Sequence, residues 1–486
     1  VKYALLSIFI ALCIATAIDH STRSNVQSEV PILYWVTNIS SARVKQVELF
    51  HEWIKERGYP EFEVRLDSTN SDASKKLIQG VSGVGADIIS MVRDEAWLFH
   101  ATGMLEDLRP LAKKHGFTLD QTWGVAAHSF MVGREQVGFP RSMSLQTYFL
   151  NVRLFEKYGV PLPSLRWTVG EFEKTAQAFV AAANQGRDPR DRIFFCDIVN
   201  VATLRRGMGR SVMNETMTRC TLDNPESIRV IKLIHKWTYE DRIIPTQADL
   251  DFFAGSDTNT SRIQLFIRDR YALLTGGRYS LVQLREHSEL KMEVRMTPYE
   301  SFPNTLLGTG SVGIYKNSKH KELAAYLLEF FTSETYNMSV VRTADAIPPI
   351  PSYSSTEEYL HPADHPLEWQ IHQETSDLMA YAVAPEASPF ILPTSFNRIE
   401  SEYRLAALAG IYTPEEGMAR AEDFVNREIE QTISADPQLR AKYDKLLKQQ
   451  ELIERLRAEG KKVPAHLITN PFYQRYYRER GWSTDT

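Results

Sequence analysis

Along the first hundred residues the apolar positions switch repeatedly between a period of two and a period near 3.6. The run 32–36 reads as a strand. In 41–57, Val44, Val47, Leu49, Phe50, Trp53 and Ile54 recur at helical spacing. A second strand follows at 62–66 and a helix at 72–79, then a third strand at 86–90 and a helix at 94–101. Short strands separated by helices need crossover connections, so the pattern predicts parallel α/β structure. Farther on it predicts a helix at 226–239 behind the cap Asp223-Asn224-Pro225 and a buried strand at 270–274 ending at Gly276-Gly277. Another strand is expected at 312–315, followed by a helix at 321–331. The stripe Leu323, Leu327, Phe330 and Phe331 on that helix reads as core.

The stretch YFLNVRLFEKYGVPLPSLRWTVGEF, residues 148–172, is readable in detail. Tyr148, Phe149 and Leu150 are strand formers. Asn151 is placed to cap a helix carrying Leu154, Phe155 and Tyr158, which Gly159 and Pro161 end. Thr168 with Glu171 forms a capping box for a second helix.

Composition narrows the class. A chain of 486 residues exceeds one ordinary core and implies two domains. With 43% hydrophobic and 24% charged residues it is globular in character, and a net charge of −5 gives no reason to expect nucleic acid. Lys2, an apolar run over 3–14 and the small residues Ala15-Thr16-Ala17 read as a signal peptide, 1–17, with an uncleaved anchor as the alternative. Ile10-Ala11-Leu12-Cys13 approximates a lipobox except for bulky Leu12. Beyond Cys13 only Cys196 and Cys220 remain, either paired by an oxidising compartment or held as buried thiols. From Asp436 the character changes. Residues 436–486 carry 11 Lys and Arg against 7 Asp and Glu, an amphipathic helix, and the aromatic end NPFYQRYYRERGW. The favoured reading is a strap packed on the body, the other a partner-binding tail.

No motif assembles an enzyme. Gly308-Thr309-Gly310-Ser311-Val312-Gly313 fits GxGxxG, but Ile314 and Tyr315 continue a strand where a dinucleotide site needs a helix N-terminus. Thr309 stands where the first glycine of a GxSxG elbow would be. His361, His365 and His372 lie among Pro362 and Pro366 and read as solvated loop histidines, not metal ligands. No cofactor is expected.

The chain resembles the extracellular solute-binding proteins of ABC importers, in particular the carbohydrate-binding family that includes maltodextrin-binding protein. Asn151, Leu154-Phe155, Gly159-Val160, Pro163, Trp167-Thr168 and Glu171-Phe172 follow its entry motif into the second lobe. GADIISMVRDEAWLFHATGMLEDL, TLDNPESIRVIKLIHKW, YALLTGGRYS and GSVGIYKNSKHKELAAYLLEFFTSE are similar to further blocks, in family order. The resemblance covers about residues 31–435. It implies an α/β, two-lobed periplasmic-binding-protein fold closing by hinge bending around a ligand, with a helical tail added. The implied lobes are 30–142 plus 297–350 and 143–296 plus 351–435, with crossings at 140–144, 297–303 and 348–351 and the tail at 436–486.

In such a fold ligands meet the carboxyl ends of strands. This rule selects Trp35, Thr37, Asn38 and Ser40; Ser68, Thr69 and Asn70; Met91, Arg93, Asp94 and Trp97; and Gly277, Arg278 and Tyr279. Trp35 stands either in the cleft or in the core. The resemblance adds Asn397, where the family often presents an aromatic, and Arg141 completes the candidate set. Aromatic platforms with Asp, Asn and Arg suit sugars, whose apolar faces stack and whose hydroxyls accept planar hydrogen bonds. The expected protein is a periplasmic or extracellular receptor that passes a mono- or oligosaccharide to the permease subunits of an ABC transporter. A polyamine or phosphorylated polyol is the other ligand class, although an anionic ligand should recruit more cations than Arg93, Arg141 and Arg278. A secreted hydrolase is the remaining alternative.

Overall fold

The computed structural model describes residues 30–484 except 93, 94, 128, 133, 255–260 and 387. The leader with its signal-peptide and lipobox motifs, and the candidates Arg93 and Asp94, therefore lie outside the described residues. The strands in chain order are β1 (Ile32–Val36), β2 (Glu63–Asp67), β3 (Ile88–Val92), the hairpin β4 (Met131–Val132) and β5 (Glu135–Gln136), and β6 (Phe139–Asn151). They continue as β7 (Phe194–Cys196), β8 (Tyr271–Gly276), β9 (Met292–Arg295), β10 (Thr305–Ile314), β11 (Ala382–Val383), β12 (Val463–Pro464) and β13 (Ser483–Thr484). Among the described residues no helix is long and apolar enough to cross a membrane.

The chain divides into two compact units. Unit 1 runs to Met143 and adds Gly308–Tyr359; unit 2 is Ser144–Leu307 with Leu360–Thr486. The second and third crossings thus lie after Leu307 and Tyr359, later than the positions expected at 297–303 and 348–351. The first lies inside a single strand, β6, whose Pro140 stands at its second residue.

In unit 1, β1 runs parallel to both β2 and β3, and β10 is antiparallel to β3, with Gly310 opposite Val92. Period-two alternation sends Leu33 and Trp35 to one face, where Phe50, Trp53, Phe330 and Tyr336 cover them. Val36 joins Ile89, Met91 and Phe99 on the other. The helix Ser41–Glu56 starts at Ser40, whose hydroxyl accepts from the Arg43 amide at 3.2 Å.

In unit 2, β6 is antiparallel to β8 and β9, and β7 is parallel to β8. The local signals act as the sequence predicts. Asn151 accepts from the Leu154 amide, Gly159 takes φ +64°, and Thr168 and Glu171 form a reciprocal capping box. Trp167 then packs edge-on against Phe172, its indole N–H donating to the Met296 carbonyl at 2.6 Å.

The last fifty residues are no separate domain. The helices Pro437–Ala458 and Pro471–Glu479 belong to unit 2, where Ile453, Val463, Ile468, Phe472 and Tyr477 form one cluster with Phe302 and Val383. Inside it the buried Glu215 accepts from the Tyr477 hydroxyl at 2.6 Å, Arg457 at 2.8 Å and Gln450 at 2.9 Å. The strap reading is the one the structure takes. Cys196 and Cys220 are both buried free thiols, in different core clusters of unit 2, so no staple forms between them.

Candidate functional site

In unit 1 the parallel strands end together, and their loops carry the candidates. Thr37 is buried, its amide donating to the Asp67 carbonyl at 3.0 Å, which ties the loop after β1 to the end of β2. Asn38 beyond it is exposed. The Asp67 carboxylate accepts from the amides of Thr69 and Asn70 and from the Asn70 side chain, at 2.9–3.3 Å. That turn leaves Ser68 and Thr69 exposed to solvent. Asn38, Ser68 and Thr69 thus share one sheet edge as accessible polar groups.

Trp35 is corrected to the core. It is fully buried between Phe331 at 5.9 Å and the Arg43 guanidinium at 5.5 Å, and its indole N–H is taken by the Ser90 hydroxyl at 2.9 Å. Trp97 lies in the helix Glu95–Ala101, its side chain outside the described residues. Ile39, which no sequence pattern singles out, is 59% exposed beside Asn38.

In unit 2 the edge is formed where β7 and β8 end and the second half of β6 begins. Gly277 has to be glycine: a Cβ there would lie 2.8 Å from both the Leu145 carbonyl oxygen and the Tyr279 ring. With that space empty, Tyr279 stands 50% exposed over the backbone at the end of β8. Ile198, after β7, is 47% exposed on the same edge, where the Asn200 side chain donates to Gln146 at 2.5 Å. Ile198 was missed because a lone aliphatic residue in a loop carries no chemical signature.

Arg278 is also corrected. It is 2% exposed and donates through Nε to His372 Nδ1 at 3.3 Å. Burial draws His372 down to about 4, so its ring is neutral and bridges Arg278 to Glu368, which pairs with Arg285 at 2.7 Å. His372 is therefore a buried helical residue, not a solvated loop histidine, and Arg278 anchors the loop from beneath. Among the described residues no group of three or more His, Cys, Asp or Glu is placed to hold a metal. Asn397 is exposed on the helix Pro393–Leu408. Arg141 is buried on β6 in unit 1.

Asp197, directly after β7, fixes the unit 2 edge. Its Oδ1 accepts from the Thr275 amide and hydroxyl, each at 2.8 Å, and its Oδ2 pairs with Arg262 at 3.0 Å. Complete burial nevertheless pushes the carboxyl up to about 6. An acid raised on folding binds its proton better in the native state, so Asp197 adds stability as pH falls through 6 towards its ordinary value. The gain is at most about 3 kcal/mol. Urea unfolding at pH 7.5 and 5.5 should show it in the native chain and not in Asp197→Asn. Equal pH dependence in the two would remove the assignment. Glu368, held down at about 2 by His372 and Arg285 against the opposing effect of its burial, stays ionised throughout this window.

Comparison with known proteins adds the following. A family model described as bacterial extracellular solute-binding protein matches residues 52–366. No curated protein matches the chain. Among solved structures, an ABC substrate-binding protein from Listeria monocytogenes in complex with cycloalternan superposes with a TM-score of 0.71 at 19% identity, covering 83% of this chain and 100% of that one. Maltose-bound MalE3 of T. maritima gives 0.65 at 18% identity, over 82% of this chain and 99% of its own. UgpB from Mycobacterium tuberculosis in complex with glycerophosphocholine gives 0.66 at 12% identity, over 84% and 100%. These likenesses establish a two-lobed substrate-binding fold with a C-terminal helical region added.

Proposed function

The chain belongs to the bacterial extracellular solute-binding protein family, and from that premise we propose that it is the receptor of an ABC importer and that its solute is a carbohydrate. The observation that carries the sugar reading is Tyr279. It is a large aromatic ring left half exposed at the carboxyl end of β8 because Gly277 beneath it has no side chain. A pyranose presents an apolar face that stacks on such a ring, while its hydroxyls reach amide groups of the kind offered by Asn200 and Gln146 on the same edge. The neighbours bound to cycloalternan and maltose support the same class. The solute is held and released unchanged to permease subunits, outside the cytoplasm, with the chain free or tethered through its N-terminus.

A thermal-shift panel of sugars, polyols, polyamines and amino acids tests the class. A saccharide at a hundredfold its dissociation constant should stabilise the protein by about 2.7 kcal/mol, several degrees in melting temperature. Tyr279→Ala should weaken that sugar at least tenfold and leave the melting point of the free protein unchanged, since the ring is exposed. Trp35→Phe should do the reverse, lowering stability and sparing affinity. A panel in which only polyamines or amino acids shift the transition would sink the carbohydrate reading.

A further inference from the structure

Among the described residues five deeply buried arginines come with a carboxylate, and Arg278 comes with His372. Arg43 has Asp345 at 3.4 Å, Arg205 has Glu400 at 3.3 Å and Arg206 has Glu386 at 3.1 Å. Arg295 has Glu374 at 3.0 Å and Arg475 has Glu479 at 2.6 Å. Arg141 breaks the rule. It is 8% exposed, pairs with no carboxylate among the described residues, and its Nε meets no hydrogen-bond acceptor.

Its surroundings compensate that charge only in part. The nearby cation is Arg43, whose own Nε is unpartnered, as is Nε2 of Gln46 beside it. Asp345 pairs with Arg43 at 3.4 Å and attracts Arg141 without forming an ion pair with it. The Tyr336 hydroxyl gives its proton to the Arg141 carbonyl at 2.8 Å, and its oxygen lies on the guanidinium side as a neutral acceptor. An isolated buried charge is costly, and burial together with Arg43 already draws the Arg141 guanidinium down to about 10.

The position is not arbitrary. A Cβ on Gly310 would lie 3.3 Å from the guanidinium carbon and 2.5 Å from the Ser142 hydroxyl, so the bare glycine is what admits the Arg141 head group. Gly310 pairs with Val92, the last residue of β3. The guanidinium therefore sits at the carboxyl-end edge of the unit 1 sheet, where ligands meet this class of fold.

We propose that Arg141 is the subsite for a carboxylate of the solute, making the ligand an acidic sugar. The inference rests on the carbohydrate reading above and narrows it. Arg43, Arg141 and Asp345 together carry one net positive charge, which a carboxylate monoanion neutralises and a phosphate dianion oversteps. The planar guanidinium fork matches a carboxylate in two parallel hydrogen bonds. The number of cations along the sequence speaks against an anionic ligand, but one buried guanidinium without an ion-pair partner suffices for one carboxylate.

The test titrates the full chain with matched pairs, galacturonate against galactose and glucuronate against glucose, as mono- and trisaccharides, with glucose 6-phosphate and acetate alongside. Each acidic sugar should bind at least tenfold tighter than its neutral partner, and Arg141→Met should abolish that preference. The same variant should raise the melting temperature of the free protein, because an unpaired charge gives way to an apolar side chain of similar length. Arg141→Lys, which keeps the charge and loses the fork, should retain part of the preference. Equal affinity for acidic and neutral partners would overturn the carboxylate subsite and leave the carbohydrate reading standing. So would a preference surviving in Arg141→Met, or tighter binding of the sugar phosphate than of the uronate. Binding of no sugar in any arm would overturn the broader reading with it.

Discussion

A chain ended at Ala435 should fail to hold the fold of unit 2, the unit that carries Tyr279. The residues removed include Ile453, Val463, Leu467, Ile468, Phe472, Tyr473 and Tyr477, all buried, and their loss bares Phe302 and Val383. Fully burying a large apolar side chain is worth about 1.5–3 kcal/mol, so the cluster contributes on the order of 10 kcal/mol. That is comparable with the entire stability of an ordinary domain, about 5–15 kcal/mol. Polar contacts go with it: Arg480 donates to the Ser301 carbonyl at 2.9 Å, and Arg475 lies over the Phe302 ring at 5.1 Å. Circular dichroism and urea unfolding of the truncated chain should show a broad, early transition or an insoluble product. The milder Phe472→Ala should cost about 3–5 kcal/mol with the fold kept. A truncated chain that unfolds at the native midpoint would show the tail to be an appendage.

Arg295→Ala should be nearly as damaging from a single position. The guanidinium donates to the Pro163 carbonyl at 2.8 Å, the Val294 carbonyl at 2.7 Å and Glu374 at 3.0 Å, and also pairs with Glu293. Glu374 is itself buried and its Oε2 accepts the Val294 amide at 2.8 Å, so it cannot turn to water when its partner leaves. Burial already pushes its carboxyl up with Arg295 in place. Removing one partner of a buried pair costs about 3–5 kcal/mol because the other charge is stranded. Adding Glu374→Gln to Arg295→Ala should therefore recover part of the loss in urea unfolding. A double variant no more stable than the single one would show that packing, not the stranded charge, sets the cost.

What could be read from the sequence was largely what is decided within a few residues. Asn151, the Thr168–Glu171 box and Asn224 act on amides three positions away, Gly159 turns its own amide back to the Glu156 and Phe155 carbonyls, and each does what its residue type dictates. The strand expected at 312–315 is the end of a longer one, β10, that begins at Thr305. Burial was harder, because the neighbours that decide it are remote in sequence. Trp35 stands near the end of its strand and Arg278 just after one, as ligand residues would, yet Phe331 covers the first and His372 holds the second, and neither partner is signalled locally. Tyr279, next to Arg278, is exposed where Arg278 is buried, and Gly277 leaves its ring the room that a Cβ would take. Arg141 was recognisable as a candidate, but its lack of an ion-pair partner emerges only when the other buried arginines can be compared with it.

The measurement that bears most directly on the receptor account is calorimetric titration of saccharides into the full chain. The account predicts a single-site saturable isotherm for at least one saccharide, each injection returning to baseline, with an acidic member of the panel the tightest. Heat that continues at constant rate after an injection would mean turnover and contradict the receptor reading. Silence for every saccharide, with a saturable isotherm for a polyamine or amino acid instead, would contradict the sugar.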